Sequence, residues 1–531
     1  MDSRNLAWRH AVPFVLLAWA LAAAVTVIPE GAFFSGDGGL KALHARQFAE
    51  GIFATDLHLP APAWVEAEWA LGAYPFDPPF VVESQGRRMP GFPPWFALLT
   101  APLLALFGWR GLFAIPAASV LWIALEVDAH LRRRVPRVPR WLGLAMLLSG
   151  TPLALYGVTF WEHAPACALS AAGLLRLART DVPERAHAFG WGLVMGLAGW
   201  LRPEHFVLAA VSLLAFRPLL REAPPGPDGT GAPTATRRRL DRFDAALLGV
   251  LAALAAWAVA NLLLFGTPTG VHGTQVTGIE GPGRWWMIRT VAASLLPLPF
   301  LHSPVMTVAC VLAVLTFVPT VRRRCPETAS FAAIALFFPL TACLVLPNDG
   351  GRQIGPRYLL GAMVPAALAA AQWFDRASGL PVRLGLPIRA TVLLAVIAGV
   401  AVTSMSAVRL ASDYAERVAP VLETVRADGD RPIVVDLDWT ALEIAHVADR
   451  RPMLRVRDAA ALDRVQASMK ANGVPGFLYV AMKVGDFDAR TAPVRDEATS
   501  GLACARVRES AALVAWECRL ARQAGDGARD P

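Results

Sequence analysis

Apolar segments of roughly membrane-spanning length recur along this chain, and they constrain its fold more than any other feature. The first is Ala11–Ile28, and later examples include Ala245–Phe265 and Thr391–Val408. A helix needs about 20 mostly apolar residues to cross a bilayer. The chain has 531 residues, of which 55% are hydrophobic and 17% charged, whereas about a quarter of an average soluble domain is charged. These features predict a polytopic protein of the lipid bilayer.

Clusters of arginine between the apolar segments predict the direction of each crossing. The net charge is +8, and the strongest clusters are Arg132-Arg133-Arg134, Arg237-Arg238-Arg239 and Arg322-Arg323-Arg324. Such clusters are typical of the cytoplasmic flanks of membrane helices. The positive charge therefore gives no reason to expect nucleic acid as a partner.

Placing these clusters in the cytoplasm predicts a bundle of about eleven transmembrane helices. Arg4 and Arg9 before the first segment favour an uncleaved signal anchor, with cleavage near Ala22–Ala24 as the alternative. The predicted spans are Ala11–Ile28, Leu112–Val127, Trp141–Phe160, Ala164–Leu177, Ala188–Trp200, His205–Phe216, Ala245–Phe265, Val305–Val318, Phe331–Leu346, Tyr358–Trp373 and Thr391–Val408.

One further apolar stretch, Gly91–Gly108, is predicted to lie along the outer membrane surface or to re-enter it. If it crossed, the cluster at Arg132 would lie outside. Pro93, Pro94 and Pro102 also make it a poor simple helix, because proline removes a backbone donor. We therefore assign it to an outer loop, residues 29–110, within a transmembrane domain of residues 1–408.

The remaining residues, 409–531, are predicted to form a small soluble α/β domain outside the cytoplasm. Cys504 and Cys518 flank a predicted hairpin near Ala511. They could form a disulfide in an oxidising compartment, or remain two buried thiols. The predicted strands are Arg431–Asp436, Met453–Val456, Phe477–Ala481 and Ala512–Trp516, and the predicted helices are Tyr414–Arg426 and Asp458–Ala471.

With this topology, unusual polar residues gather at the outer ends of the helices. Ionisable groups at membrane depth are costly, and a functional role is their default interpretation. The candidate catalytic residues are Asp37 and Glu162. The candidate substrate-binding residues are Lys41, His163, Arg202, Glu204, His272, Asp349, Arg352, Arg357 and Tyr358.

Each candidate also has a structural interpretation. Asp37, in the loop Ser35-Gly36-Asp37-Gly38-Gly39, could simply cap a helix that starts near Leu40. Glu204 could pair with Arg202 to satisfy a packed bundle. Arg352 and Arg357 could anchor a helix end near lipid headgroups, or they could hold a phosphate with their guanidinium forks.

The layout resembles the GT-C class of membrane glycosyltransferases, which includes protein O-mannosyltransferases and lipid A aminoarabinose transferases. The resemblance covers roughly residues 10–375. It is carried by Gly36-Asp37-Gly38-Gly39, Pro93-Pro94-Trp95, Trp161-Glu162-His163, Leu201-Arg202-Pro203-Glu204 and the segment from Gly350 to Tyr358.

The resemblance implies transfer of a hexose or pentose from a polyprenyl-phosphate carrier to a glycan, lipid or protein acceptor. It implies an active site on the outer face of the plasma (inner) membrane. Asp37 matches the first-loop acid that deprotonates or orients the acceptor, and Glu162 stands where many relatives have aspartate. No cofactor or metal is expected. The phosphate clamp of Arg352 and Arg357 is our own inference.

Two other functions fit the same residues. An outer cavity lined by arginine could serve a transporter or binding protein for an anionic polyprenyl-linked lipid, although the chain shows no evident inverted repeat. A noncatalytic scaffold could instead recruit partners through the C-terminal domain. The scaffold would tolerate replacement of Asp37 and both arginines.

Overall fold

The structure is a computed structural model that describes residues 3–34, 36–84, 86–179, 184–221, 241–271, 284–316, 318–346, 355–446, 451–483 and 502–520. The backbone divides into two compact units. One comprises Met1–Ile28 and Arg110–Ala407, and we call it the helical unit. The other comprises Pro29–Trp109 and Val408–Pro531, and we call it the mixed unit because it contains both helices and strands.

The helical unit is a bundle with a large apolar core. Its first helix is α1, Ser3–Val27, and the bundle resumes after the mixed unit's first segment. The later helices are α5 (Ala114–Arg134), α6 (Arg140–Leu148), α7 (Leu153–Tyr156), α8 (His163–Leu177), α9 (Arg185–Leu201), α10 (Glu204–Arg221), α11 (Arg242–Phe265), α12 (Arg284–Leu295), α13 (Leu298–His302), α14 (Pro304–Leu315), α15 (Pro319–Arg324), α16 (Pro326–Ala342), α17 (Leu360–Ala377) and α18 (Val382–Arg417).

Local sequence explains where several of these helices begin and end. Asp241 caps α11 by accepting a hydrogen bond from Asp244 N at 2.8 Å, and Gly266 ends that helix in the left-handed conformation. The predicted span Trp141–Phe160 is wrong as one helix. It is split into α6 and α7 around Gly150-Thr151-Pro152, because proline lacks the donor that a continuous helix would need.

Helices α9 and α11 approach closely because small residues face each other. A Cβ on Gly192 would lie 2.0 Å from the carbonyl oxygen of Ala246. Gly192 and Gly196 form a Gly-x-x-x-Gly spacing, which is typical of helices packed within membranes. Any larger residue at position 192 would force the two backbones apart.

Among the described residues, three helical stretches are long and apolar enough to cross a membrane: Trp95–Arg134, Arg242–Phe265 and Val382–Arg417. Shorter apolar helices are Ala11–Val27, Pro304–Leu315 and Pro326–Ala342. Large apolar side chains on α11 and α18, such as Leu263 and Ile397, are exposed, as expected for surfaces that face lipid. The prediction of about eleven spans therefore stays a prediction.

The mixed unit contains a five-stranded sheet in the order β4 (Met453–Arg455), β3 (Ile433–Val435), β5 (Gly476–Met482), β7 (Leu513–Leu520) and β6 (Leu502–Glu509). Strands β4, β3 and β5 are parallel, and the hairpin β6–β7 joins β5 in antiparallel register. The elements are α2 (Gly36–Ala49), α3 (Ala63–Glu68), β1 (Val81–Ser84), β2 (Arg87–Pro90), α4 (Trp95–Phe107), α19 (Ala419–Ala427), β3 (Ile433–Val435), α20 (Asp438–Ile444), β4 (Met453–Arg455), α21 (Ala459–Ala471), β5 (Gly476–Met482), β6 (Leu502–Glu509) and β7 (Leu513–Leu520).

Residues 29–109 pack against the C-terminal residues rather than standing apart from them. The indole of Trp69 donates a hydrogen bond of 2.8 Å to the carbonyl of Met453 in β4. Buried Glu68 pairs with Arg464 of α21 at 3.0 Å. Residues 29–109, which the sequence predicts to be part of the transmembrane domain, thus group with the sheet, and the predicted boundary at residue 408 lies within α18.

The stretch Gly91–Gly108 contains a regular helix, α4, despite Pro102 inside it. Gly108, with φ of 62°, ends α4 at the limit of the mixed unit. The prediction that the prolines make this stretch a poor simple helix is wrong, whereas its placement along or within the outer membrane surface stays a prediction. Pro94 lies just before the helix, where its missing donor costs nothing.

The elements of the C-terminal domain follow the predicted alternation. Strands β3, β4, β5 and β7 overlap the four predicted runs, and Asp458 caps α21 by accepting from Ala461 N at 2.8 Å. The predicted helix Tyr414–Arg426 is instead divided between α18 and α19, where Pro420 follows the break. Strand β6 is the first strand of the hairpin predicted near Ala511, although it is not among the four predicted runs because its exposed face carries arginine and glutamate.

Cys504 and Cys518 are paired across the β6–β7 hairpin and form a disulfide. The other four cysteines, Cys167, Cys310, Cys325 and Cys343, are free thiols. A disulfide is typical of a domain outside the cytoplasm.

We therefore expect four thiols to react with maleimide in the denatured, unreduced protein, and six after reduction. Intact-mass spectrometry would count the additions, and a Cys504→Ser/Cys518→Ser variant should show four under both conditions. Six additions without reductant would contradict the disulfide.

Candidate active site

A cluster of buried charges lies at one end of the helical unit. Glu162 immediately precedes α8, and Glu204 begins α10. Arg202 stands between α9 and α10 in an extended conformation, which is the conformation that a following proline, here Pro203, imposes. The Arg-Pro turn thus brings one cation beside two acids.

Arg202 is held by both carboxylates at once. Its Nη1 donates to Glu162 Oε1 at 3.0 Å, and its Nε donates to Glu204 Oε1 at 2.9 Å. The three side chains are at most 6% exposed. Because a buried charge is tolerated only when it is paired and hydrogen-bonded, this arrangement fixes the N-terminal ends of α8 and α10 relative to each other.

A second arginine, Arg357, lies beside the cluster against aromatic rings. Its guanidinium carbon is 5.1 Å from the centre of the Trp161 ring and 5.2 Å from that of Tyr358. The Arg202 guanidinium lies 4.9 Å from the same Tyr358 ring. The two cations and two carboxylates are formally neutral together, and the aromatic faces favour the cations.

His163 and Tyr156 complete the aromatic layer. The ring of His163 meets those of Tyr358, Trp161 and Tyr156 edge-on, at centroid distances of 6.1, 5.6 and 5.8 Å. The structure therefore brings together six of the predicted residues: Glu162, His163, Arg202, Glu204, Arg357 and Tyr358. Trp161 enters the sequence-based prediction only as part of the motif Trp161-Glu162-His163, and Tyr156 does not enter it.

A hydrogen bond between Ser170 and His205 was also missed. The Ser170 hydroxyl lies 2.8 Å from His205 Nδ1, and both side chains are buried between α8 and α10. The only signal in the sequence was that Ser170 is a lone hydroxyl among small apolar residues of α8 and that His205 directly follows Glu204. This pair adds a second polar contact between the helices that carry Glu162 and Glu204.

Asp37 and Lys41 belong to the mixed unit. Helix α2 begins at Gly36, so Asp37 lies in its first turn rather than in a loop before Leu40. An acidic group there is stabilised by the helix dipole. Asp37 is partly exposed, whereas Lys41 is buried with its Nζ 4.5 Å from the centre of the Phe92 ring.

A buried histidine lies one turn after Lys41 in α2. His44 is buried beside the ring of Phe48, and its Nε2 lies 3.2 Å from the carbonyl oxygen of Ala54. Burial lowers the pKa of His44 to about 4, so the ring is uncharged near pH 7.

The first turn of α2 packs directly on helix α20 of the C-terminal sheet domain. A Cβ on Gly39 would lie 2.6 Å from the carbonyl oxygen of Leu442. Nearby, the ring of His446 meets that of Phe33 edge-on at 5.5 Å. Burial and the neighbouring Arg426 lower the pKa of His446 to about 3. The glycines beside Asp37 therefore have a packing role as well as a place in the motif.

Three predicted residues, His272, Asp349 and Arg352, lie outside the described residues. Within the described ranges, no group of three histidine, cysteine, aspartate or glutamate side chains could hold a metal ion.

The buried pairing of Arg202 makes a testable stability prediction. Arg202→Ala would leave two buried carboxylates without their cation, a loss that costs about 3–5 kcal/mol for typical buried pairs. We expect a large fall in the thermal midpoint of the detergent-solubilised protein.

The matched control is Arg221→Ala, because Arg221 pairs with Asp241 at 3.2 Å but is 40% exposed. Exposed pairs contribute about 1 kcal/mol or less. Equal thermal midpoints for Arg202→Ala and Arg221→Ala would contradict a stabilising role for the buried cluster. A triple variant, Glu162→Gln/Arg202→Gln/Glu204→Gln, should recover part of the lost stability because it removes the unpaired buried charges.

The contact at Gly39 makes a second prediction. Gly39→Ala should destabilise the mixed unit by about 1–3 kcal/mol, because the added methyl must push α2 away from α20. Gly190→Ala is the control, since its Cβ would meet nothing within 4 Å in a helix. Thermal denaturation of both variants measures the difference, and a stabilised Gly39→Ala protein would show that the contact is looser than described.

Comparison with known proteins identifies the fold. No family model matches this chain, and no curated protein matches its sequence. Its structure is similar to ArnT from Cupriavidus metallidurans in the apo state, with 15% identity and a TM-score of 0.53, covering 96% of this chain and 98% of that one.

Two other solved structures are also similar. ArnT from the same organism, bound to undecaprenyl phosphate, has 14% identity and a TM-score of 0.50, and covers 96% of this chain and 97% of that one. The apo oligosaccharyltransferase from Archaeoglobus fulgidus has 13% identity and a TM-score of 0.44, covering 90% of this chain and 70% of that one. The ArnT comparison confirms, at the level of the fold, the resemblance to GT-C class membrane enzymes.

Proposed function

We propose that the protein is a membrane glycosyltransferase that moves a hexose or pentose from a polyprenyl-phosphate carrier to an acceptor. The observation that carries this proposal is the similarity of the fold to that of ArnT, which extends over nearly the whole chain. One of the similar ArnT structures contains bound undecaprenyl phosphate. The buried cluster of arginines and carboxylates supports it, because such groups are costly in an apolar bundle unless they serve a purpose.

In the proposed reaction, a hydroxyl or amine of the acceptor attacks the anomeric carbon of the sugar. The bond between that carbon and the carrier's phosphate oxygen breaks, and the bonding electrons leave with the phosphate. The acceptor's proton passes to Asp37, which acts as a general base. Proton transfer of this kind typically contributes about 10²–10⁴-fold to a rate.

Arg357 is our candidate for stabilising the leaving phosphate. A guanidinium fixed against aromatic rings is already oriented before charge develops, so little reorganisation is needed at the moment of reaction. Arg352 lies five positions earlier in the chain, and we keep it in the proposal as a second phosphate contact. Lys41, His272, Asp349 and Tyr358 remain proposed substrate contacts.

Glu162 has a narrower role in this proposal than the sequence suggested. Its Oε1 accepts from Arg202, so the carboxylate is committed to a buried ion pair. We propose that Glu162 and Glu204 position Arg202 and the neighbouring aromatic layer, and that His163 contacts sugar or acceptor from that layer. Asp37 then acts as the catalytic acid–base group.

The proposal also places Asp37 and the C-terminal domain on the outer face of the plasma membrane. The arginine clusters that predict this topology and the Cys504–Cys518 disulfide support the same orientation.

The test is transfer of radiolabelled sugar from undecaprenyl-phosphate donors in proteoliposomes, with cell-envelope extract as the source of acceptor. Asp37→Asn should reduce transfer by at least about 10²-fold, because the amide cannot take the proton. The protein should still fold, since Asp37 lies partly exposed in the first turn of α2.

Glu66→Gln is the matched control, because Glu66 is an exposed acid in the first turn of another helix of the same unit, α3. It should keep full activity. Full activity in Asp37→Asn would overturn the assignment of the base. Binding of the labelled donor without any turnover by the wild type would favour a lipid-binding protein instead.

A further inference from the structure

A second polar site lies at the other end of the same helices. Helices α8, α10 and α17 each begin at the Glu162–Arg202–Glu204 cluster and end beside a cavity of about 600 Å³. Fifteen residues of α8 span about 22 Å at 1.5 Å per residue. The cavity therefore cannot belong to the candidate active site.

The cavity has the size and composition of a binding site for a small anion-bearing ligand. Its volume is within the usual range for ligand sites, about 300–1,000 Å³. Ends of helices α5, α8, α10, α16 and α17 surround it, together with the loop after α5. Its polar lining consists of Arg134, Arg137, Glu327, Gln372, Asp375 and Arg376.

The carboxylates of this lining already have internal partners. Glu327 Oε1 accepts from Gln372 Nε2 at 3.0 Å and lies 2.8 Å from His130 Nε2. Glu327 Oε2 lies 3.5 Å from Arg134 Nε. Asp375 Oδ1 accepts from the backbone nitrogen of Arg137 at 3.0 Å.

The guanidinium groups are less completely satisfied. In the part of the chain that the structure describes, neither Arg137 nor Arg376 forms an ion pair. Arg376 instead donates to the sulfur of Cys325. The lining thus contains three arginines and two carboxylates. Arg137 and Arg376 can therefore pair with a negatively charged ligand.

A solvated basic flank is the simpler explanation for arginine at a cytoplasmic helix end. Arg133 and Arg323 fit that description, because they are exposed and lie outside the cavity lining. Arg137 and Arg376 differ, since the fold brings them from separate elements to one concavity. Paired guanidinium forks facing a cavity match the geometry of phosphate oxygens.

We propose that this cavity binds a phosphate group, with Arg137 and Arg376 as its principal contacts. The phosphate could belong to a lipid headgroup or to a free anion, and the chemistry of recognition is the same. The site is independent of the proposed transfer reaction, because it shares no residue with the Asp37 or Arg357 sites.

The test measures binding to the full-length protein in neutral detergent by thermophoresis. The probes are dioctanoyl phosphatidic acid, inorganic phosphate and, as the zwitterionic comparison, dioctanoyl phosphatidylcholine. The variant Arg137→Gln/Arg376→Gln should bind phosphatidic acid at least about tenfold more weakly than the wild type, because two charge-assisted hydrogen-bond donors are lost.

The control Arg133→Gln/Arg323→Gln makes the same change of net charge outside the cavity, and it should bind like the wild type. Arg137→Gln alone provides a folded intermediate, because Arg137 is exposed, and it should show a partial loss. Phosphatidic acid binding without inorganic phosphate binding assigns the site to a lipid headgroup, whereas equal binding of both assigns it to a free anion.

Three results would overturn the proposal. The first is an equal loss in the cavity and control variants, which would show nonspecific attraction to a basic surface. The second is binding of phosphatidylcholine as strong as that of phosphatidic acid. The third is unchanged binding of both phosphate probes by the Arg137→Gln/Arg376→Gln variant.

Discussion

The burial of Arg202 between Glu162 and Glu204 is the constraint on which the helical unit depends. One guanidinium fixes the beginnings of α8 and α10, and the Ser170–His205 contact joins the same helices farther along. Without Arg202, both carboxylates would be buried with no cation beside them, which is costly. The cost of burying these charges is offset only while all three groups stay together, so removal of any one of them destabilises the bundle.

The mixed unit depends on a different kind of constraint, which is close backbone approach. Gly39 allows α2 to lie against α20, and Trp69 and Glu68 attach the first long loop to β4 and α21. Asp37 is therefore held by residues that are about 400 positions away in sequence. The C-terminal residues consequently form part of the scaffold that presents the proposed base.

The sequence was informative where local chemistry decides the outcome. Pro203 predicted the Arg202 turn, and short apolar runs predicted β3, β5 and β7, because these effects act over a few residues. It was less informative where distant segments decide. Nothing near Glu162 shows that Arg202 will take its carboxylate as a partner, and nothing near Gly39 shows that Leu442 will cover it. Pro102 was misjudged for the opposite reason, since the surrounding apolar run sustains α4 despite one missing donor.

The two ends of the helical unit differ in how their charged groups are paired. At the Arg202 end, two carboxylates neutralise one arginine and aromatic rings cover the other, so the charges are fixed and largely removed from water. At the cavity end, carboxylates have internal donors and two guanidinium groups remain without ion pairs among the described residues. A rigid, neutral cluster suits the stabilisation of charge that develops during a reaction, whereas a net positive cavity suits an anion that is already charged when it arrives. The two sites differ because Arg202 and Arg357 precede the starts of α10 and α17, whereas Arg137 follows the end of α5 and Arg376 lies in the last turn of α17. The length of the helices keeps the two sites apart, so one bundle can contain a neutral cluster and a positively charged cavity.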